Sequence, residues 1–60
     1  MSWFMKEINE TQGRIQVCLL DGRLITGMVV GIIGTTVLNL RSGDEQIAID
    51  EDMIADYILV

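Results

Sequence analysis

Few residues in this 60-residue chain carry groups that could do covalent chemistry, and they do not converge. Cys18 is the one thiol. The chain has no His and no Lys beside Cys18, so nothing in the sequence draws off its proton to make it a nucleophile. On a strand of apolar alternation it reads as a small core or interface residue. Asp50-Glu51-Asp52, with Asp44 and Glu45, supplies oxygen ligands of the kind a divalent cation takes. The spacing is not that of a cation-binding loop, and the stretch reads as a solvated acidic turn. Gly31 to Thr36 has the glycines of a phosphate-cradling loop but lacks the Gly-Lys-Ser/Thr ending and precedes a strand. With no His and no Cys pair, a structural zinc site is not expected. No acid, base and nucleophile form a set, so the expectation is a non-enzyme without cofactor or metal.

Binding chemistry is better represented. Arg14, Arg23 and Arg41 are the plausible phosphate contacts, and Trp3, Phe4 and Tyr57 have the flat faces on which bases stack or cores are anchored. The balance of charge runs the other way. Four bases face nine acids, for a net charge of −5. Asp44, Glu45, Asp50, Glu51, Asp52 and Asp56 all follow Arg41, the last base. An acidic half of this kind opposes a surface whose affinity comes from phosphate contacts. It suits a solvated rim that keeps an apolar assembly in solution.

The elements that would position these groups are short strands. Asp21-Gly22 lies between the apolar runs Ile15 to Leu20 and Met28 to Ile33. This predicts a tight hairpin in which both turn residues take positive φ. Gly27, five residues on, marks a bulge or a close backbone approach. Ser2 caps a predicted helix from Trp3 to Glu10, with Trp3, Phe4, Met5 and Ile8 as its apolar stripe and Gly13 as its terminator. Five strands follow: 14–20, 23–33, 35–41, 46–49 and 54–59. The expected fold is mainly β: a short N-terminal helix (1–12), then a strongly bent five-stranded antiparallel sheet forming a small barrel (14–59), all within one domain of residues 1–60.

Half of the residues are hydrophobic and the mean hydropathy is +0.42, more apolar surface than one small core hides. A lone Cys cannot form an intrachain disulfide, so oligomerisation is the remaining way to stabilise so small a scaffold. The last strand carries one charge and no Pro, and an edge of that kind invites pairing with a second copy; a head-to-tail contact that closes by rotation makes a ring. The hydrophobic runs are only a few residues long, so no membrane partner is expected. The N-terminal residues lack the pattern of an export signal, and with a free Cys this favours a reducing cytoplasm.

The spacing Val17-x-Leu19-x-Asp21-Gly22, then Gly27, then apolar strands ending Val37-Leu38-x-Leu40, with Ile54 to Ile58 as closing strand, resembles the Sm-like (LSm/Hfq-type) family. The resemblance implies a helix followed by five bent strands, assembly into homo-oligomeric rings, and binding of single-stranded RNA in the manner of an RNA chaperone. In such a ring the loops 33–36 and 50–52 are expected on an inner rim, with Thr35, Thr36 and Asn39 as hydrogen-bonding groups, and Arg14 and Arg41, among the few bases, as the expected phosphate contacts. Thr36, Val37, Leu38, Leu40, Tyr57, Ile58 and Leu59 are the expected subunit interface. The chain departs from the family at its binding motifs. Ile33 and Val37 stand where the first motif has Asp and Asn, Ile54-Ala55-Asp56 where the second has Arg-Gly, and Asp50-Glu51-Asp52 where Hfq has a Tyr-Lys-His run. The alternative expectation is therefore an oligomeric scaffold that has lost RNA binding and whose acidic rim takes a basic protein partner.

Overall fold

The computed structural model describes residues 2–60. The expected helical segment 1–12 begins at Met1, which lies outside the described residues. Helix α1 (Trp3–Glu10) leads into strands β1 (Arg14–Leu19), β2 (Leu24–Ile33), β3 (Val37–Ser42) and β4 (Glu45–Asp50). A single 3-10 turn (Glu51–Met53) then delivers β5 (Ile54–Leu59). The five strands form one antiparallel sheet in the order β4-β3-β2-β1-β5.

Ser2 starts the helix as expected: its backbone is extended and its hydroxyl accepts from the Met5 amide at 3.4 Å. Gly13 does not end it. The helix stops at Glu10, and Thr11 turns extended while its amide and hydroxyl donate to the carbonyls of Ile8 and Glu7. Those two bonds satisfy the orphan carbonyls that a left-handed glycine would otherwise serve. Met5 and Ile8, three residues apart on one face, are fully buried, while Trp3 is 74% exposed and so leaves the expected stripe.

The core consists of these two helical residues with Ile15, Val17 and Leu19 of β1, Leu38 and Leu40 of β3, and Ile49 of β4. The period-2 alternation of β1 places Arg14, Gln16 and Cys18 on the opposite face. Leu38 and Leu40, expected at a subunit interface, belong to the chain's own core. Both are fully buried there, so their side chains have no surface left for a neighbour. Their strand is also interior, hydrogen-bonded to β2 on one side and β4 on the other.

Strand β2 carries the bend. Residues 24–28 pair with β1 and residues 28–33 pair with β3, so Met28 alone is opposite both Arg14 and Arg41. The ladder shifts register between Val29 and Gly31, which leaves Val30 as the bulged residue. Gly27 is therefore a site of close approach and not the bulge: a Cβ built there would lie 2.8 Å from the Arg41 carbonyl oxygen. The first hairpin also differs from expectation. Its loop has three residues, Leu20-Asp21-Gly22, with the Gly22 amide donating to the Leu19 carbonyl and only Gly22 at positive φ (91°). Asp21 keeps negative φ and uses its carboxylate to accept from the Arg23 amide (3.0 Å) and Arg23 Nε (2.8 Å).

The 2.8 Å approach predicts that Gly27→Ala forces β2 and β3 apart. Overpacking of this kind costs about 1–3 kcal/mol, and a urea unfolding curve is expected to show a lowered midpoint with an unchanged slope.

Candidate functional site

The residues expected to contact RNA fall into two groups at opposite ends of the β2–β3 hairpin. Thr35 and Thr36 lie in its turn, because β3 begins at Val37 and not at residue 35. Arg41 lies near its open end, at the Met28 pair, a span of roughly 13 Å along an extended strand from the Ile33–Val37 pair. Asn39, opposite Gly31 and Ala48, sits half-buried between the two ends.

At the turn end, the two loops expected on an inner rim meet. The Glu51 amide donates to the Thr36 carbonyl at 2.8 Å, and the Ser2 hydroxyl donates to Glu51 Oε2 at 3.1 Å. Asp50 accepts the Asp52 amide on its carboxylate and so caps the 3-10 turn. The helix start, Thr36 and the acidic turn form one pole. Among the described residues, no group of three or more His, Cys, Asp or Glu is arranged to hold a metal ion.

At the other end, β2 brings Arg14 and Arg41 together. Both are opposite Met28, one from each side, so all three side chains lie on the same sheet face. They line an open cleft of roughly 430 Å³ with Thr26, Gly27, Ser42 and Gly43. Neither arginine is paired: among the described residues the one ion pair is Arg23 with Asp21, at 2.8 Å. The Thr26 hydroxyl accepts from Gln16 Nε2 at 3.3 Å, which leaves its own hydrogen free to donate. No local sequence signal joins residues 14, 26 and 41; only the strand register does.

The two edges of the sheet are the second feature. Strands β4 and β5 end the strand order, and each is six residues long. The Glu51 amide bonds to the Thr36 carbonyl just before β3, and the Val60 amide bonds to Arg14 of β1. Antiparallel alternation then directs the main-chain groups of Gln46, Ala48 and Asp50 outward along β4, and those of Tyr57 and Leu59 outward along β5. Asp56 Oδ1 accepts the Tyr57 amide at 2.8 Å. Each edge borders an apolar groove. Leu19, Ile25, Ile47, Ile49 and Met53, together with Arg23 and Asp50, line the one beside β4, and Trp3, Phe4, Ile54 and Tyr57, together with Asp56, line the one beside β5. Ile58 and Leu59 are 60% and 43% exposed on the free strand, and Val37 and Tyr57 are half-buried. The expected interface thus falls on β3 and β5, whereas the free edges are β4 and β5. The Ile47/Ile49 alternation between acidic flanks is the sequence signal for β4, though a strand expected at only 46–49 conceals it.

A short helix on a bent five-stranded antiparallel sheet of this order is the Sm-like fold. Among solved structures, the chain is similar to the crystal structure of the pleiotropic translational regulator Hfq, with a TM-score of 0.77 and 21% sequence identity over 95% of this chain and 85% of that one. At that identity the likeness establishes the fold. No protein-family model and no curated protein sequence matches the chain.

Tyr57 shows how the β5 groove is tuned. Its phenol is held above the ordinary 10.0, first by burial and then by the neighbouring Glu7 carboxylate. The neutral phenol is the stabilising form, so its contribution is complete below pH 10 and is lost as pH rises through the higher folded value. Tyr57 is the one tyrosine, which makes ultraviolet titration unambiguous. Glu7→Gln is expected to lower the transition, because it removes the Glu7 carboxylate and leaves burial and Asp56 as the remaining causes.

Proposed function

We propose that the chain, residues 1–60 acting as one domain, is the subunit of a closed homo-oligomeric ring that binds single-stranded RNA. The observation that carries the ring is the pair of free edges, equal in length and each beside an apolar groove. An open edge with exposed apolar side chains is a template for another strand, and β4 of one copy against β5 of the next is a head-to-tail contact that a rotation can close. The likeness to Hfq and the unpaired Arg14 and Arg41 support the RNA ligand. A ring repeats those arginines by symmetry, which offsets the net acidity locally. The role is binding and not catalysis, and a free Cys18 fits a reducing cytoplasm. No described helix is long and apolar enough to cross a membrane.

A second reading is favoured by the acidic turn. Asp50, Glu51 and Asp52 share one pole with the Thr36 carbonyl, and such a pole suits a basic protein held by a scaffold that ignores RNA.

Native mass spectrometry with and without a short oligo-U at low salt separates these readings. A discrete ring that takes up RNA is the expected result; a ring that ignores RNA overturns the ligand, and a monomer overturns the assembly. Leu59→Pro removes an outward amide while leaving the β1 ladder intact. It is expected to give folded monomers or smaller species, seen as unchanged circular dichroism with a reduced mass. A full-sized oligomer from that variant would show that β5 is not the paired edge.

A further inference from the structure

We propose that the cleft between Arg14 and Arg41 is an oxyanion site whose ligand is the phosphate of single-stranded RNA, and that this cleft, not the Thr35–Thr36 turn, is where the chain grips the backbone. The inference rests on the RNA reading above for its ligand and on the cleft alone for its anion. The two arginines stand two strands apart, a Cα spacing of about 9.5 Å, and face the same side with Met28 between them. Extended guanidinium groups from such positions converge on one phosphate or hold two successive ones.

Several features fit a phosphate. A guanidinium offers a planar fork of donors that matches phosphate oxygens. The Thr26 hydrogen, freed by the bond from Gln16, adds a neutral donor around the same space. Two guanidinium groups facing one space match the double charge of inorganic phosphate, where acetate carries only one. Gly43 leaves part of the wall of the cleft without a side chain. Met28, 41% exposed, gives an apolar floor against which the ribose of the same nucleotide packs.

The turn end is built for the opposite charge. Thr36 gives its carbonyl to Glu51, and Asp50, Glu51 and Asp52 surround it. A phosphate placed there would meet the carboxylates of Asp50, Glu51 and Asp52. Asp44 and Glu45 follow Gly43 near the cleft but do not line it, so they weaken binding at long range without occupying the site.

The test uses the assembled full chain and two probes. Inorganic phosphate is titrated while the arginine Nε–H signals and the amides of Thr26, Ser42 and Gly43 are followed by NMR, with acetate at equal concentration as control. Oligo-U affinity is measured across a salt series for the parent, Arg14→Ala, Arg41→Ala, the double variant, and Thr35→Ala/Thr36→Ala. Phosphate is expected to shift the cleft signals and acetate to leave them nearly unmoved. Each arginine variant is expected to bind oligo-U about tenfold more weakly and to flatten the salt slope by roughly 0.7 for each phosphate it no longer neutralises. The threonine double variant is expected to bind as the parent does, and Arg→Lys at either position is expected to restore part of the affinity. Oligo-U binding that is indifferent to both arginines, without phosphate shifts, overturns the cleft and leaves the RNA reading standing. Phosphate shifts without oligo-U binding retain the anion site and overturn the RNA as its source. Equal shifts with acetate overturn the phosphate preference, and silence from both probes overturns site and reading together.

Discussion

The structure depends on the bend of β2 at the point where Gly27 lets two backbones approach. In a chain of 60 residues the sheet encloses a core because β2, the longest strand, turns between its halves. Its first half is laid against β1 and its second against β3, with Met28 shared. The absent side chain at Gly27 lets the Arg41 carbonyl come close, and the bulge at Val30 resets the register so that Val29 and Ile32 lie opposite the buried Leu40 and Leu38. The helix then closes the remaining side with only two buried residues, Met5 and Ile8. Without the bend, the apolar faces of β1 and β3 would lie flat and open to water.

The same bend distributes charge. By handing over at Met28 it sets Arg14 near Arg41, although most of the chain's first three strands separates them in sequence. By folding the hairpin away from that point it sends the Thr35–Thr36 turn to the far end, where the β4–β5 turn meets it. One strand therefore separates a basic cleft from an acidic pole within a molecule only 26 × 25 × 19 Å across. The sparse bases of an acidic chain can matter because they are concentrated and left unpaired.

Much of the fold is legible in local chemistry. The Ser2 cap, the alternation of Ile15, Val17 and Leu19, and the turn residues around Asp21, Gly34 and Gly43 each act within a few positions, and the expected helix and strands are present. What stays hidden depends on contacts distant in sequence. Leu38 and Leu40 look the same whether they face a neighbour or the chain's own core, since both surroundings are apolar; only the order of strands decides. The three-residue hairpin loop is hidden because Asp-Gly also suits a two-residue turn, and the carboxylate bonds to Arg23 select between them. The Arg14–Arg41 cleft is hidden for the strongest reason: a one-residue change of register on either side of Met28 would move one arginine to the opposite face.

The bond from the Tyr57 amide to Asp56 has a kinetic meaning. An outward amide on a free strand is the group that an arriving chain would seize first, in any register and from any protein. Asp56 already occupies it, at 2.8 Å, and places a negative charge beside it. That position of the border is therefore guarded against indiscriminate, fibril-like stacking, while the outward amide of Leu59 stays open. A partner that aligns along the whole strand displaces one carboxylate, which returns to water, and gains a ladder. Chance encounters that meet only the guarded amide gain nothing, so the guard sorts productive collisions from unproductive ones before any assembly forms.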